Sequence, residues 1–189
     1  MRDPEALPLL GLRTPGAVRA CLDHLGWSSL DQGDWAYVYR SPTGRLVARL
    51  APFEPVYGHF VDLCRRCAGI RYLPHVELAV ELDGGGHLTV LEHLKPAPVK
   101  VIKELLRTWE HPEDADAELR RLRDEVDRID AWGRRGVRWW SGVDLGARHI
   151  LQSAGGQPKV IDVFCVVLPD LLGDLNATLV ALAQGHEVM

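Results

Sequence analysis

Two carboxylates, Asp144 and Asp162, have the residue type and setting to do chemistry, and they lie close together in the stretch from Gly142 to Phe164. Within it, two short apolar runs, His149 to Gln152 and Lys159 to Phe164, flank Ser-Ala-Gly-Gly-Gln-Pro. The glycine pair supplies positive φ and the proline starts the return strand, so the stretch reads as a β-hairpin. One carboxylate stands at each mouth of it: Asp144 in the loop that enters, and Asp162 inside the second strand. A lone charge in an apolar run is unfavourable unless it is paired, which makes a cation or a metal the natural partner for Asp162.

Positioning those groups falls to the rest of the chain. Thr14 is a good N-cap, Pro15 suits a first helical turn, and Val18, Cys21, Leu22 and Leu25 recur at helical spacing before Gly26. Strand patterns follow: Leu30 to Tyr39, a Ser-Pro-Thr-Gly turn, then Arg45 to Leu50. Glu54 to Arg66 predicts a helix with Phe60, Leu63, Cys64 and Cys67 on its buried face. Val76 to Leu82, an Asp-Gly-Gly-Gly turn and His87 to Leu94 predict a second hairpin. After Pro96 the period becomes helical. Val99, Ile102, Leu105, Leu106 and Trp109 form one stripe, and Glu113 to Asp116 caps a helix carrying Leu119, Leu122, Val126, Ile129 and Trp132, which Gly133 and Gly136 end. Arg138, Trp139 and Trp140 could line a substrate groove, with core the better reading of the two aromatics, and Leu168 to Ala183 reads as a last amphipathic helix.

Composition narrows the class. The 189 residues suffice for one domain or two small lobes sharing a cleft, and 47% hydrophobic with 25% charged residues is ordinary for a globular chain. A net charge of -4, with basic residues scattered among acidic ones, gives nucleic-acid binding no support. No apolar run reaches membrane-spanning length and the N-terminus lacks the apolar region of a signal peptide, so no membrane partner is expected and the cytoplasm is the expected compartment. Cys64-Arg-Arg-Cys67 has redox or zinc-pair spacing. No second pair follows, and the two positions fall in an apolar helical stripe, so buried reduced thiols are expected.

The central stretch resembles the catalytic and metal-binding loops of the protein-kinase-like superfamily, which includes the aminoglycoside and choline phosphotransferases and carries His-x-Asp-x-x-x-x-Asn, a hairpin, and Asp-Phe-Gly. By that resemblance Asp144 is the catalytic base, His149 stands in the metal-binding Asn position, and Asp162-Val-Phe stands for Asp-Phe-Gly, so that Asp162 and His149 are the metal ligands. Gly142 replaces the family's His. Leu30 to Tyr39 is similar to the glycine-rich nucleotide loop, with Gly33 and Val38-Tyr39 kept and Asp31 and Ala36 replacing glycines. Val47-Ala-Arg49-Leu resembles Val-Ala-Ile-Lys, which gives Arg49 the part of the phosphate-facing cation. The helix after it would supply an acid to pair with that cation, Asp62 by position with Glu54 as runner-up. Val90 to Pro96 resembles the hinge, where Glu92 to Leu94 would offer backbone groups to an adenine.

The resemblance implies an α+β, two-lobed protein-kinase-like fold: an antiparallel-sheet N-terminal lobe with a leading helix, residues 1–95, and a reduced helical C-terminal lobe, 96–189, containing the catalytic-loop hairpin. It implies ATP and Mg²⁺ as cofactors, with Asp144 and Arg49 catalytic and Gly33, Arg49, Asp62, Glu92 and Leu94 around the nucleotide. Three functions stand open: a minimal phosphotransferase acting on a protein or small-molecule hydroxyl, a pseudokinase-like protein that acts by binding a protein partner, and a small-molecule kinase like the aminoglycoside enzymes.

Overall fold

The computed structural model describes residues 3–32, 36–54, 56–167 and 170–173. It is an α+β structure built on a five-stranded antiparallel sheet, with four longer helices and two small accessory sheets. Helix α1 (Pro15–His24) starts where the sequence places it, with Thr14 Oγ1 accepting from the Ala17 amide at 3.3 Å and Pro15 in the first turn. Strands β1 (Ser28–Gln32), β2 (Tyr37–Arg40), β3 (Leu46–Ala51), β4 (Val76–Leu82) and β5 (Gly86–Glu92) pair in the order β1-β2-β3-β5-β4.

Strand alternation gives this sheet two different faces. Leu46, Ala48, Leu50, Leu88 and Val90 are buried in one cluster with Val18 and Leu22 of α1. The intervening positions point the other way. Register sets Val38 and Thr89 on either side of Arg49, with Val47 opposite Leu91. Helix α2 (Tyr57–Arg66) covers this second face and buries Tyr57, Phe60, Val61, Leu63 and Cys64. No side chain caps its start. Apolar burial, worth about 2 kcal/mol for each fully buried large side chain, therefore holds it in place. Gly86 opens β5 under the backbone of β3: a Cβ there would lie 2.4 Å from the Ala51 and Pro52 carbonyl oxygens, so only glycine fits.

Past a two-residue strand β6 (Lys95–Pro96), the chain forms α3 (Val99–Glu110) and α4 (Ala117–Gly136), the latter N-capped by Asp116, which accepts from the Leu119 amide at 2.9 Å. Strands β7 (Trp140–Val143), β8 (Ile150–Gln152), β9 (Pro158–Val160) and β10 (Phe164–Val166) follow. They form a β6-β8-β9 sheet and a β7-β10 pair. The second core joins α2 to this half: Phe60 and Leu63 share it with Leu105, Leu119, Leu122, Val126, Trp140, Ile150, Val160 and Phe164. Buried Glu125 of α4 adds an ionic tie, 3.6 Å from Arg66 of α2 and paired also with Arg128.

Several expectations need correction. Helix α2 begins at Tyr57, so Glu54 precedes it. Asp162 is not inside a strand; β9 ends at Val160 and Asp162 follows in irregular backbone at φ +60. Gly133 does not end α4, which runs on to Gly136. The expected helix from Leu168 to Ala183 falls mostly outside the described residues, and so does Gly33. Cys64 and Cys67 are buried and unbridged, as expected. Among the described residues, no helix is long and apolar enough to cross a membrane.

Candidate active site

Arg49 projects from β3 on the sheet face that α2 covers, and its partner is Glu54, in the connection before that helix. The guanidinium engages both carboxylate oxygens, Nη2 donating to Oε1 at 2.8 Å and Nη1 to Oε2. Its plane lies over the Tyr57 ring, 3.8 Å from the centroid. The pair is mostly buried, at 18% and 6% side-chain exposure. Burial alone would lower the Arg49 pKa, but the Tyr57 and Glu54 side chains outweigh it and raise the value further, so the guanidinium is charged throughout. Asp62, expected first for this pairing, lies on the outer surface of α2 and pairs with Arg65 at 3.2 Å. The runner-up Glu54 makes the contact because it reaches Arg49 from the strand-to-helix connection.

Two loops meet below the pair. The Asp144 amide donates to the Val163 carbonyl at 2.9 Å, and the Ile161 amide donates to the His149 carbonyl at 2.8 Å. These bonds set the segment carrying Asp144 and His149 beside the one carrying Asp162. Asp162 sits in left-handed backbone, a conformation that is uncommon for a non-glycine residue and concentrates at functional positions. Its Oδ1 is buried without a hydrogen-bond partner. Burial raises the Asp162 pKa and Glu54 adds to the rise, while Arg49, His149 and the Phe164 amide pull it back. Electrostatics thus joins Asp162 to the Arg49–Glu54 pair across a long sequence separation.

His149 closes a 3-10 turn, Ala147–His149, and both of its ring nitrogens are engaged. Nδ1 lies 2.6 Å from the Asp144 carbonyl and Nε2 lies 3.0 Å from Arg148 Nε. The carbonyl accepts and the guanidinium donates, which assigns the proton to Nδ1 and the lone pair to Nε2. Arg148 also pairs with the Asp144 carboxylate. Gly142 has φ +115, and a Cβ on it would meet Arg134 Nη2 at 2.3 Å. Arg134 in turn pairs with Asp130 at 2.7 Å, and Asp130 accepts from Trp140 Nε1 at 2.8 Å, so α4 braces this loop.

At the end of β5 the Glu92 carboxylate accepts from the His75 amide at 2.9 Å and pairs with Lys159 of β9 at 3.1 Å. Its own amide donates to the His75 carbonyl and that of His93 to the Arg45 carbonyl. Glu92 thus clips β5 to β9, and Leu94 is half-buried just beyond it. The structure brings Asp162 within electrostatic reach of Arg49, Glu54 and His149, and sets the Asp144 backbone against Val163 with its carboxylate on Arg148; Asp62 stands apart, and Gly33 lies outside the described residues. Sequence reasoning passed over Tyr57 and Arg148. Tyr57 carried a signal, an aromatic three residues after a candidate acid. The chain matches no protein-family model and no curated protein.

Proposed function

We propose that this chain is a minimal phosphotransferase of protein-kinase-like, two-lobed architecture that binds ATP and Mg²⁺ between the five-stranded sheet and the α3–α4 half. The observation that carries the reading is Asp162: a carboxylate with a buried, unpartnered oxygen, in left-handed backbone, within electrostatic reach of the mostly buried Arg49–Glu54 pair. A hard divalent cation suits such an oxygen, and Mg²⁺ commonly takes only one or two protein carboxylates, completing its shell with water and phosphate oxygens. Asp162 therefore fits as its ligand. His149 does not, because neither ring nitrogen is left for a metal and imidazole is a poor ligand for Mg²⁺. The bound ion would supply charge neutralisation at the phosphates.

The chain's own groups take the remaining parts. Val38 and Val47 share the sheet face of Arg49 and would form an apolar floor for a base. The Glu92 and His93 amides are used internally, so of the three hinge amides that of Leu94 would be the one to meet an adenine. Arg49 contributes a fixed positive charge, held rigid by Glu54 and Tyr57. Asp144, partly exposed, would take the proton of the acceptor hydroxyl.

The second reading, a pseudokinase-like protein that acts through a protein partner, is favoured by the Arg148 contact, which occupies the Asp144 carboxylate. One experiment separates the two. The thermal midpoint is measured with and without ATP, each with and without Mg²⁺, because a ligand that binds only the folded state raises it by mass action. A rise needing both, and lost in Asp162→Asn, supports the phosphotransferase. No rise in any condition supports the partner-binding reading. Where the shift appears, Asp144→Ala should keep it and lose phosphotransfer.

A further inference from the structure

An acceptor hydroxyl must reach the Asp144 carboxylate, and Arg148 already stands at that approach. Its side chain is 72% exposed, yet it is tethered on both sides: it pairs with Asp144 and its Nε donates to His149 Nε2 at 3.0 Å. The bond from His149 Nδ1 to the Asp144 carbonyl at 2.6 Å fixes the imidazole so that Nε2 keeps its lone pair for Arg148. A guanidinium has five donors, and these contacts use those of Nε and one Nη, leaving the other Nη for an incoming group.

From this placement, and resting on the phosphotransferase reading above, we propose that the acceptor is a hydroxylated anion. Its hydroxyl meets Asp144, and its own carboxylate or phosphate meets the Arg148 guanidinium. A cationic acceptor, such as a quaternary ammonium alcohol or an amino sugar, would instead bring like charge to within roughly 5 Å of Arg148, which weakens binding about tenfold at the intermediate screening of a site mouth. The transfer balances: the acceptor oxygen forms a bond to the γ-phosphorus, the bond from that phosphorus to the β,γ-bridging oxygen breaks, ADP leaves, and the hydroxyl proton passes to Asp144.

The test measures binding of glycerol 3-phosphate, glycerate, glycerol and choline to the full chain by ligand-observed NMR. It uses wild type, Arg148→Gln and Arg148→Glu, each shown by circular dichroism to be folded. The two anions should bind wild type about tenfold more tightly than choline; Arg148→Gln should close that gap and Arg148→Glu should reverse it. Choline binding as tightly as the anions, failure of either anion to bind, or an unchanged preference in both variants would overturn the proposal. The ATP–Mg²⁺ thermal shift of wild type is read alongside. An Arg148-dependent anion preference without a nucleotide shift removes the phosphotransferase reading and leaves an anion site; a nucleotide shift without that preference does the reverse.

Discussion

Arg49 and Glu54 show how a buried ion pair behaves as a unit. Each is stabilised by the other, so removing one strands a charge that burial penalises. Glu54→Ala should lower unfolding stability by about 3 kcal/mol, whereas Arg49→Met combined with Glu54→Leu should lose much less; chemical denaturation of all three variants checks this. If the double variant loses as much as the single, the pair holds the fold by something other than mutual neutralisation. Asp162 should behave in the opposite way. Its carboxylate has an unpartnered oxygen and faces a second acid, so Asp162→Asn should keep or slightly raise the midpoint while removing any Mg²⁺-dependent nucleotide shift. A sharp loss of stability would mark the residue as structural. Asp144 and Asp162 stood out by residue type and setting, whereas Arg49 and His149 came forward only through the resemblance to kinase-like loops; of these, Arg49 and His149 lie within electrostatic reach of Asp162. Which acid meets Arg49 was less legible, because the choice between Glu54 and Asp62 turns on where α2 begins, and helix starts without a side-chain cap leave little trace in sequence.

Among the elements, α4 gives the sharpest contrast. Gly133 and Gly136 both looked like helix terminators, yet they do different things. A Cβ at Gly133 would stand 2.3 Å from two ring carbons of Trp140, while nothing lies within 4 Å of one at Gly136. Gly133→Ala should therefore cost about 2 kcal/mol by forcing β7 away from α4, and Gly136→Ala should be neutral or stabilising through helix propensity. Thermal unfolding of the two variants decides it, and equal effects would mean that the contact with Trp140 yields freely. Apolar periodicity, caps and glycine turns made α1, the sheet hairpins, α3 and α4 readable in the order of residues alone. Gly133 misled because a glycine that admits a neighbouring ring and a glycine that ends a helix look alike in sequence; the ring comes from a residue seven positions on, after the turn. Asp162 misled for a related reason, since an apolar run that looks like one strand is interrupted by left-handed backbone.

For the molecule as a whole, acid is the informative perturbation. His59 of α2 and His87 of β5 both have pKa values lowered by burial. Asp62 pulls the first back up, and Glu81, Glu54 and Asp62 the second, while His87 opposes a charge on His59 and Arg49 opposes one on His87. The net direction is downward for both, so the folded state prefers them neutral. Stability is then fully present above the ordinary histidine value of 6.5 and is lost as pH falls through the lower folded values. The midpoint should drop on acidification below that value, and a variant with both histidines changed to Gln should show a shallower drop; an equally steep one would place the acid sensitivity elsewhere. His59 also has a position that has nothing to do with stability. Its ring centroid is 4.9 Å from that of Trp132 and 5.4 Å from that of Trp140. A protonated imidazole accepts an electron from an excited indole, so the emission of these two tryptophans should dim as His59 takes up its proton and brighten if α2 draws away. The chain thus carries its own optical gauge of the helix that follows Glu54, readable in an unlabelled sample with a fluorimeter.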